Sequence, residues 1–487
     1  NSPRYPTQRF RSFPVRNSLT VLAAFILLGP GSPMALGQGG NTPGNSPGGI
    51  LISPQGLIQQ ALAAPINPAP PSRQLREKAL TALPETLRQP AEIRLLSLRS
   101  LDSQLATLAA AGTPIPAELR YLAGLTRIDA IVLSPDNTDL ILAGPAEPFA
   151  AVRGNRMVGL HSGRPVLCLE DLLAAFRDTD ILDAAGCSID PDSERLAAAH
   201  NWLARNSAPA TVAVAKARLE QMVRLQGRWN VTTFGVPEDS RMCLAMVEAD
   251  YLMKRIAIGA DTTGIRGLKS SLALARPGDN MMRRWWFAPA PGTLTVSADR
   301  SSWTLLGPRL QLFAQEEVMD DNGNLLDIST KHGSADEFAA LFNRHLPELT
   351  QKIPAFADLQ NILDVLAAVA VCRELQAAGT LQFQPQMLDD PAVLPGRSWP
   401  VPRETLPLLT SRSASAGLIL GAFSGGVTFR SRQLVRMASL PDSPTTPNSA
   451  NSTPNRSLTV SRQTLGNMPD GKVWKDLTTP PVQGDSD

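Results

Sequence analysis

Cysteine, histidine and tyrosine are scarce in this sequence, and long blocks of like charge are absent. The 487 residues include 4 Cys, 4 His and 3 Tyr. Lysine and arginine number 46 and aspartate and glutamate 44, so the formal net charge is +2. Nucleic acids and acidic lipids bind to concentrated positive charge, which an even mixture of signs does not supply. We therefore expect no nucleic-acid partner.

Motifs for metal binding and for common catalytic sites are also missing. The sequence contains no H-E-x-x-H and no S-x-x-K, and no two cysteines have the spacing of zinc ligands. His345 and Glu348 lie three positions apart, but Pro347 stands between them and no second ligand is near in the sequence. The sequence therefore predicts no metal and no cofactor.

Two patterns resemble ligand-binding loops without meeting their requirements. Residues 466–472 have the glycine and lysine spacing of a phosphate-binding loop, but Val473 replaces the hydroxyl that would hold magnesium. Residues 190–201 begin with alternating acids, yet Arg195 occupies the position where a calcium loop needs glycine. Capping of a helix that begins near Ser193 explains those acids better.

The first 37 residues have the three parts of a secretory signal. Four arginines precede an uncharged run from Leu19 to Leu28, and small residues at 35–37 follow it. Ten helical residues rise about 15 Å, half the thickness of a bilayer core, which is too short for a membrane anchor. The sequence predicts cleavage before Gln38, secretion or a periplasmic location, and no transmembrane span in the mature chain.

Proline, glycine and large apolar residues divide the rest of the chain. We predict a Gly/Pro-rich linker with a short strand at 38–71 and a globular region at 72–380, with two subdomains, 72–210 and 211–380, as an alternative. Residues 381–436 are predicted as a Pro-rich segment with one strand near Gly426. Residues 437–487 are rich in Ser, Thr, Pro and Asn and are predicted to be disordered.

The apolar patterns predict an α+β fold with helices packed on an antiparallel or mixed sheet. Strands with period two alternate with helices whose apolar residues recur every three or four positions. The predicted helices are 72–87, 95–111, 169–177, 193–205, 212–225, 240–258, 334–345 and 354–378. The predicted strands are 128–133, 139–143, 166–168, 187–189, 229–234, 294–296, 303–306, 310–318 and 325–328.

The four cysteines allow two interpretations. In an oxidising compartment Cys168 and Cys187, the nearest pair, would form the favoured disulfide. Each cysteine also lies in an apolar run, so four small buried hydrophobic residues are an equal alternative.

Two groups of residues are the weak candidates for a functional site. The long helix at 240–258 carries the candidate catalytic residues Asp250, Tyr251, Lys254 and Arg255. Asp250 and Lys254 form an i,i+4 pair that a solvated helix face alone would explain. The candidate binding residues are Arg283, Arg284, Trp285 and Trp286. They suit a stacking surface, or aromatic rings at a core edge with arginines extending past them.

Several segments resemble an uncharacterised family of exported planctomycete proteins, the domain of unknown function 1598. The resemblance covers roughly residues 48–375. Its segments are 121–128, 142–147, 163–167, 169–172, 187–191 and 247–259. It implies a signal segment and a Pro-rich end, but no activity. Within its block 247–259, Asp250, Tyr251, Lys254 and Arg255 are the best positions to test.

Two functions from different classes follow. The first is an exported, non-catalytic binding or structural module of the cell envelope, with an unknown envelope protein or surface ligand as partner. The second is an exported hydrolase whose site is assembled from scattered Asp, Arg and Tyr residues. Convergence of Asp250, Tyr251, Lys254 or Arg283 in a pocket would favour the enzyme.

Overall fold

The computed structural model describes most of the chain after residue 70. The described residues are 71–152, 156–206, 211–276, 282–319, 325–327, 333–395, 397–407, 409–414, 417–440, 468 and 471–477. The predicted signal, almost all of the predicted linker and the turn at 320–324 lie outside them.

Several of the described helices begin at side-chain caps that are visible in the sequence. Ser72, Ser97, Thr211, Ser240 and Ser270 each accept a hydrogen bond from a backbone N–H in the first turn. The helices are α1 (Arg73–Ala82), α2 (Leu98–Ala110), α3 (Ala117–Arg120), α4 (Leu169–Arg177), α5 (Ser193–Arg205), α6 (Val212–Gln226), α7 (Arg241–Ala257), α8 (Ser271–Leu274), α9 (Ser334–Lys352), α10 (Pro354–Ala377) and α11 (Ser431–Arg436).

The strands form two large sheets and one small one. They are β1 (Ala91–Ser97), β2 (Ala130–Leu133), β3 (Leu140–Ala146), β4 (Phe149–Ala151), β5 (Met157–Gly159), β6 (Ala185–Asp190), β7 (Trp229–Phe234), β8 (Met282–Pro289), β9 (Leu294–Val296), β10 (Ser302–Leu305), β11 (Leu310–Met319), β12 (Leu325–Asp327), β13 (Glu404–Thr405), β14 (Leu409–Ala414), β15 (Gly417–Phe429) and β16 (Trp474–Asp476).

The strand order shows how distant parts of the chain combine. The six-stranded sheet has the order β16-β1-β3-β2-β10-β9. The eight-stranded sheet has the order β12-β11-β8-β15-β6-β7-β13, with β14 paired to β15. Among the described strands, β8 with β15 is the parallel pair and the other pairs are antiparallel. The predicted α+β class with a mixed sheet is confirmed.

Helix α10 forms the centre of the core. It packs against α4, α7, α9 and α11, and one continuous apolar cluster joins it to both large sheets. Its length and composition would suffice to cross a membrane, but its most apolar 18-residue window is 100% buried inside the protein. This agrees with the predicted buried core helix.

The segment 91–97 is a strand, where the leucine spacing predicted the start of a helix. Leu96 faces the main apolar cluster, whereas Leu95 faces a second cluster formed with Val132 and Ile141. Because both faces of the strand are buried, apolar residues fall at consecutive positions and imitate helical spacing. Residues 166–168, predicted as a strand, are irregular.

The folded body continues beyond residue 380, where the sequence analysis placed its end. Strand β15 lies inside the eight-stranded sheet between β8 and β6, and α11 follows it. Each large sheet also contains strands from both sides of residue 210, since β6 joins β7 and β9 joins the sheet of β1. The alternative division into subdomains at that point does not match the sheets.

Strand β16 lies in the segment predicted to be disordered and pairs with β1. Arg94 on β1 is fully buried, and its Nε and Nη2 donate to the two carboxylate oxygens of Asp476 at 2.5 and 2.8 Å. Its Nη1 donates to the backbone oxygen of Ala123 at 2.6 Å. The C-terminal strand therefore neutralises a charge inside the fold.

The contribution of this ion pair can be measured by removing the carboxylate. Asp476→Ala should lower the free energy of unfolding in urea by roughly 1–3 kcal/mol, because a buried guanidinium loses two charged hydrogen bonds. Lys475→Ala, on the same strand, retains the ladder and the Arg94 pair and is the control. Equal stabilities of the two variants would show that β16 contributes only its backbone.

Candidate functional site

Helix α7 directs the Asp250 and Lys254 side chains toward the eight-stranded sheet. The helix begins at the Ser240 cap and ends before Gly259, whose φ of 74° terminates it. It packs on β6 and β15. Because four residues make slightly more than one turn, Asp250 and Lys254 occupy the same side of the helix.

Asp250 and Lys254 form a completely buried ion pair. Lys254 Nζ lies 2.6 Å from Asp250 Oδ2, and both side chains are 0% exposed. Burial raises the pKa of Asp250 to about 7, and the Lys254 charge opposes this rise. The prediction that this pair lies on a solvated helix face is wrong, because β15 covers that face. The local sequence could not show this, since β15 lies about 170 positions further along the chain.

Lys254 hydrogen-bonds to backbone oxygens where two strands of the sheet separate. The ladder between β6 and β15 ends at the pair Ser188 and Gly426. Just beyond it, Lys254 Nζ donates to the oxygen of Gly425 at 2.9 Å and to that of Ile189 at 3.5 Å. The ammonium group thus satisfies backbone acceptors that the ladder leaves unpaired.

Glycine at position 425 is required by this irregularity. Its φ is +111°, and a Cβ there would lie 2.0 Å from the backbone oxygen of Trp285. On the other side of the gap, Asp190 Oδ1 accepts a hydrogen bond from the Gly425 N–H at 3.4 Å. Side chains rather than backbone groups therefore connect β6 and β15 at this point.

Tyr251 and Arg255 do not join the buried pair. Arg255 donates to both oxygens of Asp261 at 2.5 and 2.7 Å, and its Cζ lies 5.8 Å from the centre of the Tyr251 ring. The hydrogen bonds that Arg255 donates to Asp261 raise the pKa of Arg255. Both side chains are partly exposed. The four candidate catalytic residues therefore separate into an enclosed pair and a surface pair.

The candidate binding residues alternate between the two faces of β8. Trp285 is fully buried, packs on Phe338 with ring centres 5.0 Å apart, and donates to the oxygen of Ala335 at 3.4 Å. Arg284 and Trp286 lie on the opposite face, with the Arg284 Cζ 4.8 Å from the centre of the Trp286 ring. The side chain of Arg283 lies outside the described residues.

Arg284 connects this face to the buried pair through Asp190. Its Nη2 lies 3.7 Å from Asp190 Oδ2. The charge of Asp190 raises the pKa of Asp250, and the charge of Arg284 lowers it. Both residues therefore act electrostatically on the buried pair. Of the predicted site residues, the structure thus brings together Asp250, Lys254 and Arg284, and it adds Asp190.

A second buried cluster, which the sequence analysis missed, joins α4, α7 and α10. We call Arg156, Asp171, Arg241, Glu248 and Asp358 the five-residue ion cluster. Arg241 pairs with Asp171 through several short bonds, and its Nη1 lies 2.8 Å from Asp358 Oδ1. Arg156 pairs with Glu248 and, at 3.3 Å, with Asp358.

The five-residue ion cluster contains three carboxylates and two guanidinium groups at low exposure. Burial raises the pKa of Asp171 and of Glu248 despite their arginine partners. Burial also acts on Asp358, but Arg241 and Arg156 together outweigh it and lower its pKa. Members spread from residue 156 to residue 358 give no local sequence signal that could have predicted this cluster.

Polar residues of α10 contact the loop that precedes α4 and the segments that precede β2 and β11. Asn361 Nδ2 donates to the oxygen of Pro165 at 3.0 Å. Asp364 accepts from the Ile128 N–H at 2.9 Å and lies 2.9 Å from Arg309 Nε. Burial raises the pKa of Asp364 to about 6, although Arg309 opposes the rise.

Asp364 should make the stability of the protein depend on pH between about 4 and 6. In this range the folded state holds a proton that the unfolded state has released, so the stability from this group falls as pH rises. The free energy of unfolding of wild type relative to Asp364→Asn should therefore fall by roughly 2 kcal/mol between pH 4 and 7. Urea titrations at several pH values measure it, and parallel curves would contradict the shift.

All four cysteines are free and buried in the structure. Cys187 lies on β6 facing α7, whereas Cys168 precedes α4 beside Arg241 and Asp171. The disulfide predicted between them is not formed, and small buried hydrophobic residues describe all four positions. Burial raises the pKa of the Cys168 thiol far above its usual range.

Among the described residues, no group of three His, Cys, Asp or Glu side chains is arranged to hold a metal ion. His345 Nδ1 lies 3.7 Å from Glu348 on the surface of α9.

Comparison with known proteins gives one match. Residues 187–270 match the family model described as "Protein of unknown function (DUF1598)". The matched segment runs from β6 through α7 and includes Asp190, Asp250 and Lys254. No curated protein and no solved structure matches the chain. The resemblance to an uncharacterised domain of unknown function is therefore confirmed for this part of the chain.

Proposed function

We propose that the chain is exported by a planctomycete and serves as a non-catalytic binding or structural module of its cell envelope. The family implies no activity, so the proposal depends on what the candidate residues can do. Asp250 and Lys254, the chemically strongest of them, are 0% exposed and bonded to each other. This enclosure is the observation that carries the proposal.

A hydrolase that used Asp250 or Lys254 would require that a substrate can reach the carboxylate or the amine. Lys254 uses its donors on Asp250, Gly425 and Ile189. The charges of the five-residue ion cluster are likewise paired with one another. These groups hold strands and helices together, which supports a structural role for them over a catalytic one.

Export can be tested through the N-terminus of the native protein. Mass spectrometry of the protein from the envelope fraction should show a chain that begins at Gln38, because the small residues before it suit signal peptidase. Ala35→Tyr, which places a large ring in the cleavage motif, should leave residues 1–37 attached. Native protein that is soluble in the cytoplasm with those residues attached would overturn the proposal.

The non-catalytic role has its own test. A double variant with Asp250→Leu and Lys254→Met removes both candidate catalytic groups and leaves apolar side chains in their place. If the double variant folds, its binding to envelope fractions should equal that of wild type. A hydrolytic activity that wild type shows and the folded double variant lacks would overturn this part of the proposal.

A further inference from the structure

We propose that a surface patch around Trp399 binds an acidic saccharide. The patch consists of Arg120, Tyr121, Glu170, Arg397 and Trp399, and we call it the Trp399 patch. It lies outside the segment that matches the family model. The inference deepens the proposed binding function by naming a ligand class and a location.

Trp399 is held in place at both its backbone and its ring. Its indole Nε1 donates to Glu170 Oε1 at 2.9 Å, and its backbone N–H donates to the oxygen of Asp239 at 2.9 Å. The Arg397 Cζ lies 4.9 Å from the centre of the ring. The ring is partly exposed, so an amphipathic aromatic surface is fixed where a ligand can reach it.

Tyr121 is positioned by a strained turn. The three residues after it, Leu122, Ala123 and Gly124, all have positive φ, of 42°, 54° and 76°. Arg94 donates to the oxygen of Ala123, and a Cβ at Gly124 would lie 2.2 Å from the oxygen of Glu147. Such strain persists only where the surroundings fix the backbone, and it is typical of ligand-binding sites.

The charges of the patch meet at the Tyr121 phenol. Burial and the nearby Cys168 thiol raise the Tyr121 pKa, Arg120 and Arg397 lower it, and Glu170 raises it. Burial likewise raises the pKa of Glu170, while Trp399 opposes the rise through its hydrogen bond. Both arginines are exposed. Helix α3, which ends at Arg120, packs against α4, which carries Glu170, the partner of the Trp399 indole. The two aromatic rings and the three charged groups therefore lie in one region of the surface.

This chemistry matches a sugar ring that carries a carboxylate. A pyranose presents C–H groups that pack on an indole or phenol face, and hydroxyls that bond to a carboxylate or a guanidinium. Arginine binds carboxylates in a bidentate geometry, and the guanidinium groups of Arg120 and Arg397 are both exposed to a ligand. A neutral glycan has no carboxylate to bind the arginines, and an acidic peptide has no sugar ring to pack on the fixed aromatic rings.

The test uses the full chain and titration calorimetry with three probes: oligogalacturonate, neutral dextran and polyglutamate. Oligogalacturonate should bind, and Trp399→Ala should weaken it about tenfold or more, since a fixed Trp ring carries a large share of binding energy. Arg397→Ala should weaken binding similarly and reduce its dependence on salt. Circular dichroism and urea titration identify the variants that remain folded.

Trp286→Ala is the matched control, because Trp286 is also partly exposed and also stacked by an arginine, Arg284. It should leave oligogalacturonate binding within about twofold. Absence of oligogalacturonate binding, equal binding of dextran or polyglutamate, or a loss with Trp286→Ala but not with Trp399→Ala overturns the proposal. The export proposal is tested separately by the N-terminus of the native protein, which the calorimetry does not depend on. A failure of the saccharide proposal can therefore be told apart from a failure of the export proposal.

Discussion

Replacing Lys254 by methionine should lower the free energy of unfolding by about 3–5 kcal/mol. Asp250 then remains fully buried without a cationic partner. The oxygen of Gly425 also loses its donor at the gap between β6 and β15. Urea unfolding followed by tryptophan fluorescence measures the change, since Trp285 lies next to this gap.

The loss of stability in Lys254→Met should arise because the Asp250 charge is left buried without a partner. The ion pair itself should contribute little net stability. Adding Asp250→Leu to Lys254→Met should recover most of the stability, because apolar side chains replace both charges. Glu348 and Lys352 form an i,i+4 pair at 2.8 Å with side chains about 40% exposed, so Lys352→Met is the matched control. It should cost less than about 1 kcal/mol. Equal costs for the two lysines would contradict the structural role of Lys254.

Replacing Arg241 by methionine should have an effect of comparable size. Arg241 is the cation that Asp171 and Asp358 share, so its removal leaves both carboxylates buried and without that partner. The expected loss is about 3–5 kcal/mol near neutral pH. Without Arg241 the folded-state pKa of Asp171, which burial already raises, should rise further, and that of Asp358 should rise because one of its two arginine partners is lost. The loss should therefore be largest at neutral pH and smaller near pH 4, where the acids are protonated.

A surface arginine provides the comparison for Arg241. Arg403 pairs with Glu238 at 2.6 Å, but their side chains are 50% and 71% exposed. Arg403→Met should change the stability by less than about 1 kcal/mol. If Arg241→Met matched this control, or if its cost did not depend on pH, the five-residue ion cluster would not be a stabilising unit of the core.

Caps and periodicity predicted those helices whose ends depend on local residues. Helices α4 and α5 have the predicted bounds, and α7 begins at its predicted Ser240 cap. The helix predicted from residue 95 was wrong at its start, where β1 lies. Burial on both faces of β1 removes the alternation that distinguishes a strand. A strand was predicted near Gly426, but the place of β15 inside the eight-stranded sheet was not, because the strands beside it lie far away in sequence and its glycines weaken the strand signal.

The candidate site depended even more on distant residues. The sequence shows that Asp250 and Lys254 share a helix face but not which face of the fold it meets. That face became a core face only because β15 arrives there. The five-residue ion cluster draws its members from helices α4, α7 and α10 and from the segment before β5. The sequence alone therefore predicted the helix that carries the buried pair but not the burial that determines its chemistry.

The pairing of β1 with β16 joins one of the first strands of the described fold to the last. Arg94 and Asp476 are 382 positions apart, so a nascent chain cannot supply the partner of Arg94 until residue 476 has been synthesised. Contacts of such long range also delay folding once synthesis is complete. For the export proposed above, such a delay would favour threading through a translocation channel, because β1 lacks its β16 partner until residue 476 has been made.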